Sequence, residues 1–280
     1  MKEIDVNQVT DVVERLCIEA NVYLNGDIRK FLTDAERLEE SESGRSVLHS
    51  LLRNAEIAES EGMAICQDTG MAIVFVTVGQ DVRITGGSLT GAINEGVRRG
   101  YRKGYLRCSV VGDPIIRKNT GDNTPAVIHY DIVEGDELRI DVVPKGFGSE
   151  NMSALKMLKP SDGIEGIRRF VVDTVSNAGP NPCPPVIVGV GIGGSMEQCA
   201  LLAKKALLRP VGSRNPQKHI AEIEEQLLHE INCLGIGPAG LGGRVTALGV
   251  MVEVYPTHIA GLPVAVNMSC HATRHRSAVL

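Results

Sequence analysis

Apolar residues recur at three- and four-residue steps through the first third of the chain and at strand-like intervals after it, so the sequence reads as a helical start and a strand-rich remainder. Val6, Val9, Val13, Leu16, Ala20 and Leu24 predict a first helix, capped by Asp5 and ended by Gly26. Ile28, Phe31, Leu32, Ala35 and Leu38 predict a second, and Val47, Leu48, Leu51, Leu52, Ala55 and Ala58 a third that stops at Gly62. Ile73 to Val78 reads as a strand, and Ser88 caps a helix through Leu89, Ile93 and Val97. Val127 to Ile132 and Leu138 to Val143 read as a hairpin across Glu134-Gly135-Asp136. Later helices begin near Ser161, Ser195 and Asn215-Pro216, and later strands cover Val186 to Val190, Thr246 to Val254 and Val264 to Met268. The fold class this implies is α+β, with a helical N-terminal part, 1–63, packed on mixed β-sheets in one domain over 1–280.

Composition changes this picture in three places. With 43% apolar residues but only 3% aromatic, no Trp and 31 glycines, the core is aliphatic and the backbone must approach itself or a ligand closely. A net charge of -5 argues against a nucleic-acid partner. Seven cysteines without a Cys-x-x-Cys pair do not form a secreted disulfide framework. No charged-then-apolar leader opens the chain and its apolar runs are too short to span a bilayer, so a cytoplasmic protein with no membrane segment is expected.

The candidate chemistry centres on Ile65-Cys66-Gln67-Asp68-Thr69-Gly70, which places a thiol, an amide, a carboxylic acid and a hydroxyl on one predicted turn. Read alone, it is better explained as a buried cysteine at a strand start, with Asp68 and Thr69 hydrogen-bonding the turn backbone. Gly189-Val190-Gly191-Ile192-Gly193-Gly194 fits a dinucleotide-binding pattern, yet about twenty residues on stands Pro210-Val211-Gly212-Ser213 with no acid, so close packing of a turn is the better reading. His271 and His275 would share one face only if helical, and no third ligand follows. Cys66, Cys183 and Cys270 differ from Cys17, Cys108, Cys199 and Cys233 in lying at predicted non-helical junctions. Three thiolates from three distant loops suit a cubane iron–sulfur cluster better than zinc and leave one iron open.

Several motifs in order then resemble the iron–sulfur hydro-lyases. They are the Cys66 motif, Gly104-Tyr105-Leu106-Arg107 with Ser109-Val110-Val111, Lys145-Gly146 with Gly148-Ser149-Glu150-Asn151, Pro182-Cys183-Pro184-Pro185, and Gly235-Ile236-Gly237-Pro238 with Gly240-Leu241-Gly242-Gly243. Within that superfamily the chain is similar to the alpha subunits of two-subunit class I fumarate hydratases, with L-tartrate dehydratase alpha subunits as near relatives. The resemblance implies a 4Fe-4S cluster on Cys66, Cys183 and Cys270 with one iron not ligated by protein. It further implies Asp68 as the acid that protonates the departing hydroxyl, paired with His258, and Gln67, Arg107 and Gly148 as holders of substrate carboxylates. A beta subunit would supply the rest of the active site, including the base that this chain lacks. The reaction expected is the reversible hydration of fumarate to (S)-malate, with dehydration of the small dicarboxylate tartrate to oxaloacetate as the alternative. A non-catalytic iron–sulfur redox protein would want a fourth protein ligand and no substrate acid, and a zinc-binding interaction module would want a zinc-type ligand set. One departure stands out: Phe147 occupies a position where the resemblance leads one to expect glycine.

Overall fold

The computed structural model describes residues 2–280, and the chain is α+β. In chain order its first half carries β1 (Lys2–Asp5), α1 (Val6–Val22), α2 (Gly26–Leu38), α3 (Glu42–Glu61), β2 (Met71–Gly79), β3 (Val82–Thr85), α4 (Leu89–Lys103), β4 (Val127–Val133) and β5 (Leu138–Lys145). The second half adds the single turn α5 (Phe147–Glu150), β6 (Ala154–Leu158), α6 (Gly163–Ala178), β7 (Val186–Gly193), α7 (Met196–Ala206), α8 (Lys218–Asn232), β8 (Ala247–Tyr255), β9 (Leu262–Ser269) and β10 (Arg276–Val279). Among the described residues no helix is long and apolar enough to cross a membrane.

Two compact units share these elements. The first takes the chain up to Leu24, Ala55–Phe147 and Arg274–Leu280. Its four-stranded sheet has the order β10-β5-β2-β4, with β2 antiparallel to β5 and parallel to β4. Asp5 caps α1 through a box with Gln8, and Ser88 caps α4 by accepting the Gly91 N–H, so both helices start where the sequence places them. Their apolar faces, Val9, Val13 and Leu16 against Ile93 and Val97, join Val74, Val76, Ile140 and Val142 of the sheet in one core.

The hairpin expected from β4 and β5 does not form, because β2 runs between the two strands. β5 is buried at seven of its eight positions, so it needs a partner on each side and finds β2 and β10, whereas the largely exposed β4 takes the edge. Gly26 likewise opens α2 instead of closing α1, which ends at Val22.

The second unit takes Asn25–Asn54 and Gly148–Thr273. Its sheet has the order β6-β9-β7-β8, with β7 antiparallel to β9 and parallel to β8. The glycine pattern lies mostly inside β7, and its purpose there is packing. A Cβ on Gly189 would stand 2.1 Å from the Ala203 carbonyl oxygen, and one on Gly191 2.0 Å from that of Cys199, so α7 lies flush on the strand only because both side chains are missing.

Candidate functional site

In the first unit the Cys66–Gly70 stretch leaves α3 through a short irregular segment and enters β2. Three successive carbonyls of this turn are held by buried or largely buried side chains. Arg274 Nη2 donates to the Asp68 carbonyl. The Tyr101 hydroxyl donates to the Thr69 and Gly70 carbonyls at 2.9 and 3.0 Å, and Asn123 Nδ2 reaches the Gly70 carbonyl at 3.1 Å. Tyr101 and Asn123 are 1% and 0% exposed, and burial pushes the Tyr101 phenol up, which keeps it a donor. Gly70 sits at φ +74, and a Cβ there would lie 2.7 Å from the Lys145 backbone.

With the carbonyls engaged in this way, the side chains of the motif remain for chemistry. Cys66 is half-buried; its Sγ accepts the Asp68 N–H at 3.4 Å and lies 3.5 Å from Gln67 Oε1. Gln67 is exposed and Asp68 half-buried. Both Asp68 oxygens are anchored: Oδ1 accepts the Gly70 N–H at 3.0 Å and Oδ2 the Phe147 N–H at 2.9 Å. Thr69 Oγ1 accepts the Arg107 N–H at 2.9 Å and donates to the Arg107 carbonyl at 3.2 Å, which fixes the Arg107 backbone to the motif. The Arg107 side chain is exposed, and among the described residues it has no carboxylate partner. Phe147 opens the turn α5 with a φ that is not positive, so its side chain is tolerated and its N–H reaches Asp68 where a glycine was expected.

The second unit carries the other candidates. Cys183 is exposed and held at φ 56, a rare and costly conformation for a residue with a side chain. Its N–H donates to the Pro180 carbonyl at 3.0 Å, and its own carbonyl lies 3.1 Å from His271 Nδ1. A carbonyl only accepts, so the His271 ring proton sits on Nδ1 in that bond. Cys270 is half-buried just past β9, its carbonyl accepting the Thr273 N–H at 3.0 Å and Thr273 Oγ1 at 2.8 Å. His271 and His275 lie in a non-helical stretch, so the paired-ligand geometry does not arise. His258 is exposed in the loop after β8, and its Nδ1 accepts the Ala260 N–H at 3.1 Å, leaving the proton of a neutral ring on Nε2. Gly148 is exposed within α5, and a Cβ there would meet nothing nearer than the Asn181 carbonyl oxygen at 3.9 Å.

Cys66, Cys183 and Cys270 all lie outside helices and strands, while Cys17 and Cys199 are fully buried and burial pushes the Cys17 thiol up to about 12. Among the described residues no three His, Cys, Asp or Glu side chains form a site for a single metal ion. Three thiolates are nevertheless the donor set of a cubane, whose cysteines each bind a different iron and need not converge on one point. In donor chemistry, taken residue by residue, the three cysteines suit an iron–sulfur cluster.

Tyr101, Asn123 and Arg274, which hold the carbonyls of the Cys66–Gly70 turn, escaped sequence reasoning. Only Tyr101 left a signal, a polar tip four residues after Val97 on the apolar face of α4.

Comparison with known proteins agrees with this reading. The family model of fumarate hydratase matches residues 10–279, and the chain belongs to that family, a hydro-lyase family that binds an iron–sulfur cluster. Among its relatives is a Methanocaldococcus jannaschii protein named provisionally as an L(+)-tartrate dehydratase subunit alpha, 45% identical over 273 residues that make up 95% of each chain. The L(+)-tartrate dehydratase subunit alpha of Escherichia coli K12 is 35% identical over 276 residues, 98% of this chain and 91% of that one. The Shigella sonnei protein of the same name matches to the same extent.

Proposed function

We propose that this chain is the cluster-binding, catalytic alpha subunit of a hydro-lyase that removes water from L(+)-tartrate to give oxaloacetate. One observation carries the chemistry: an aspartic acid two residues from a half-buried thiol, with both carboxyl oxygens aligned by backbone N–H donors. The names of the relatives favour tartrate. Fumarate and (S)-malate remain the second reading, favoured by the description of the matching family model.

Cys66, Cys183 and Cys270 would hold the cluster, which supplies Lewis acidity toward the substrate hydroxyl when bound. Asp68 would deliver the proton that lets the hydroxyl depart as water. Arg107 offers an exposed planar fork to a substrate carboxylate, Gln67 an exposed amide, and Gly148 a backbone that a ligand can approach closely. The resemblance alone, and no distance, assigns Cys183 and Cys270 to the cluster of Cys66 and His258 to the proton path of Asp68. A proton must also leave carbon, and none of the residues given a role above is assigned to take it; the alpha-subunit names of the relatives support a beta subunit as the source of that base.

The test is to reconstitute the chain anaerobically, confirm its cluster by absorbance, and assay it alone and with a candidate beta subunit on L(+)-tartrate, (S)-malate and fumarate. Turnover only with the second chain, fastest on tartrate, is expected. Full activity of the chain alone, or no activity on any of the three, overturns the reading.

A further inference from the structure

Arg274 is 4% exposed, yet its guanidinium forms no ion pair among the described residues. Nη2 donates to the Asp68 carbonyl, while Nε and Nη1 lie buried without a hydrogen-bond partner. An unpaired buried guanidinium opposes folding, since a flexible apolar side chain of similar length would fill the same space without giving up hydration. Stability therefore does not explain this arginine. What it does is fix the peptide of Asp68, at the head of the row of carbonyls that Tyr101 and Asn123 continue through Thr69 and Gly70.

We propose that Arg274 is a positioning residue: it fixes the Asp68 peptide so that the carboxyl reaches the Gly70 and Phe147 N–H groups and the Asp68 N–H reaches Cys66 Sγ. The proposal rests on the acid role given to Asp68 above, although its structural half stands without it. Tyr101 and Asn123 hold the later part of the turn from α4 and from the loop before β4. No other side-chain bond to the Asp68 carbonyl is present among the described residues, so loss of Arg274 frees that peptide alone.

The discriminating property is a split between stability and turnover. In the cluster-free full chain, Arg274→Met is expected to leave the melting temperature unchanged or higher, while amide hydrogen exchange at Asp68, Gly70 and Phe147 speeds up about tenfold. In the reconstituted complex the same variant should lower kcat by roughly ten- to a hundredfold with KM little changed, because the acid is misplaced while the substrate holders are intact. Arg274→Lys, which keeps one donor to the carbonyl, should restore part of both. Unchanged exchange at all three amides overturns the proposal, as does a kcat loss that merely follows a lower melting temperature in both variants. If the complex turned over none of the three substrates, the functional reading would fail while exchange and melting still decided the role of Arg274.

Discussion

The Asp68 carboxyl accepts the backbone N–H of Phe147 at 2.9 Å across 79 positions of sequence, while its other oxygen accepts the N–H of Gly70. Both oxygens facing N–H donors is an arrangement an amide side chain cannot reproduce, because its NH2 would confront a donor. Asp68→Asn should therefore do two things at once: remove the acid, for a loss of roughly 10²- to 10⁴-fold in kcat, and loosen the Phe147 turn. Iron content should stay at the wild-type level. Near-normal turnover would remove Asp68 from the mechanism.

The backbone donor can be separated from the phenyl ring. Phe147 is the first residue of α5, a position where proline is tolerated, so Phe147→Pro removes the N–H while Phe147→Ala keeps it. Loss of one hydrogen bond, about 0.5–1.5 kcal/mol, should appear as a fall in kcat for the proline variant only. Equal kcat in the two variants would show that the bond to Asp68 does not matter for turnover.

Two glycines should respond in opposite ways to alanine. At Gly70 the left-handed backbone and the 2.7 Å approach to Lys145 make Gly70→Ala destabilising by about 1–3 kcal/mol, read as a lower melting temperature. Gly148→Ala meets nothing within 3.8 Å, so stability should stay within about 0.5 kcal/mol of wild type. If substrate approaches that backbone, KM rises; an unchanged KM removes Gly148 from the binding site.

Glu39 gives a pH test. It is 2% exposed; burial pushes its carboxyl up, but N–H donors from Ser41, Arg244, Val245 and Glu40 outweigh this and hold its pKa below the ordinary glutamate value. A depressed carboxylate contributes stability that is full above the unfolded pKa and disappears as pH falls through the folded one. Stability should thus decline on acidification below the usual glutamate range. Glu39→Gln should weaken the protein at neutral pH and flatten that decline, as urea unfolding at several pH values would show. An unaltered acid slope would mean that other carboxylates set it.

Local rules were legible and long-range ones were not. Asp5, Ser88, Gly62 and Gly179 mark helix ends in sequence because caps and left-handed glycines act within a few residues. The order β10-β5-β2-β4 was hidden because adjacency in sequence favours a hairpin, and only the deep burial of β5 reveals its need for two partners. At the site, Cys66 and Asp68 stood out as residue types. Arg274 and Asn123 did not, since what each does depends on main-chain carbonyls 206 and 53 positions away, and main-chain partners leave no trace in residue identity.

The most direct test of the account is the iron and acid-labile sulfide content of the anaerobically reconstituted chain and its cysteine variants. Wild type should bind about four irons per chain; Cys66→Ser, Cys183→Ser and Cys270→Ser should each lose them, and Cys17→Ala, Cys108→Ala, Cys199→Ala and Cys233→Ala should keep them. A wild-type chain that takes up no cluster, or a variant outside the trio that loses it while one inside retains it, would contradict the assignment.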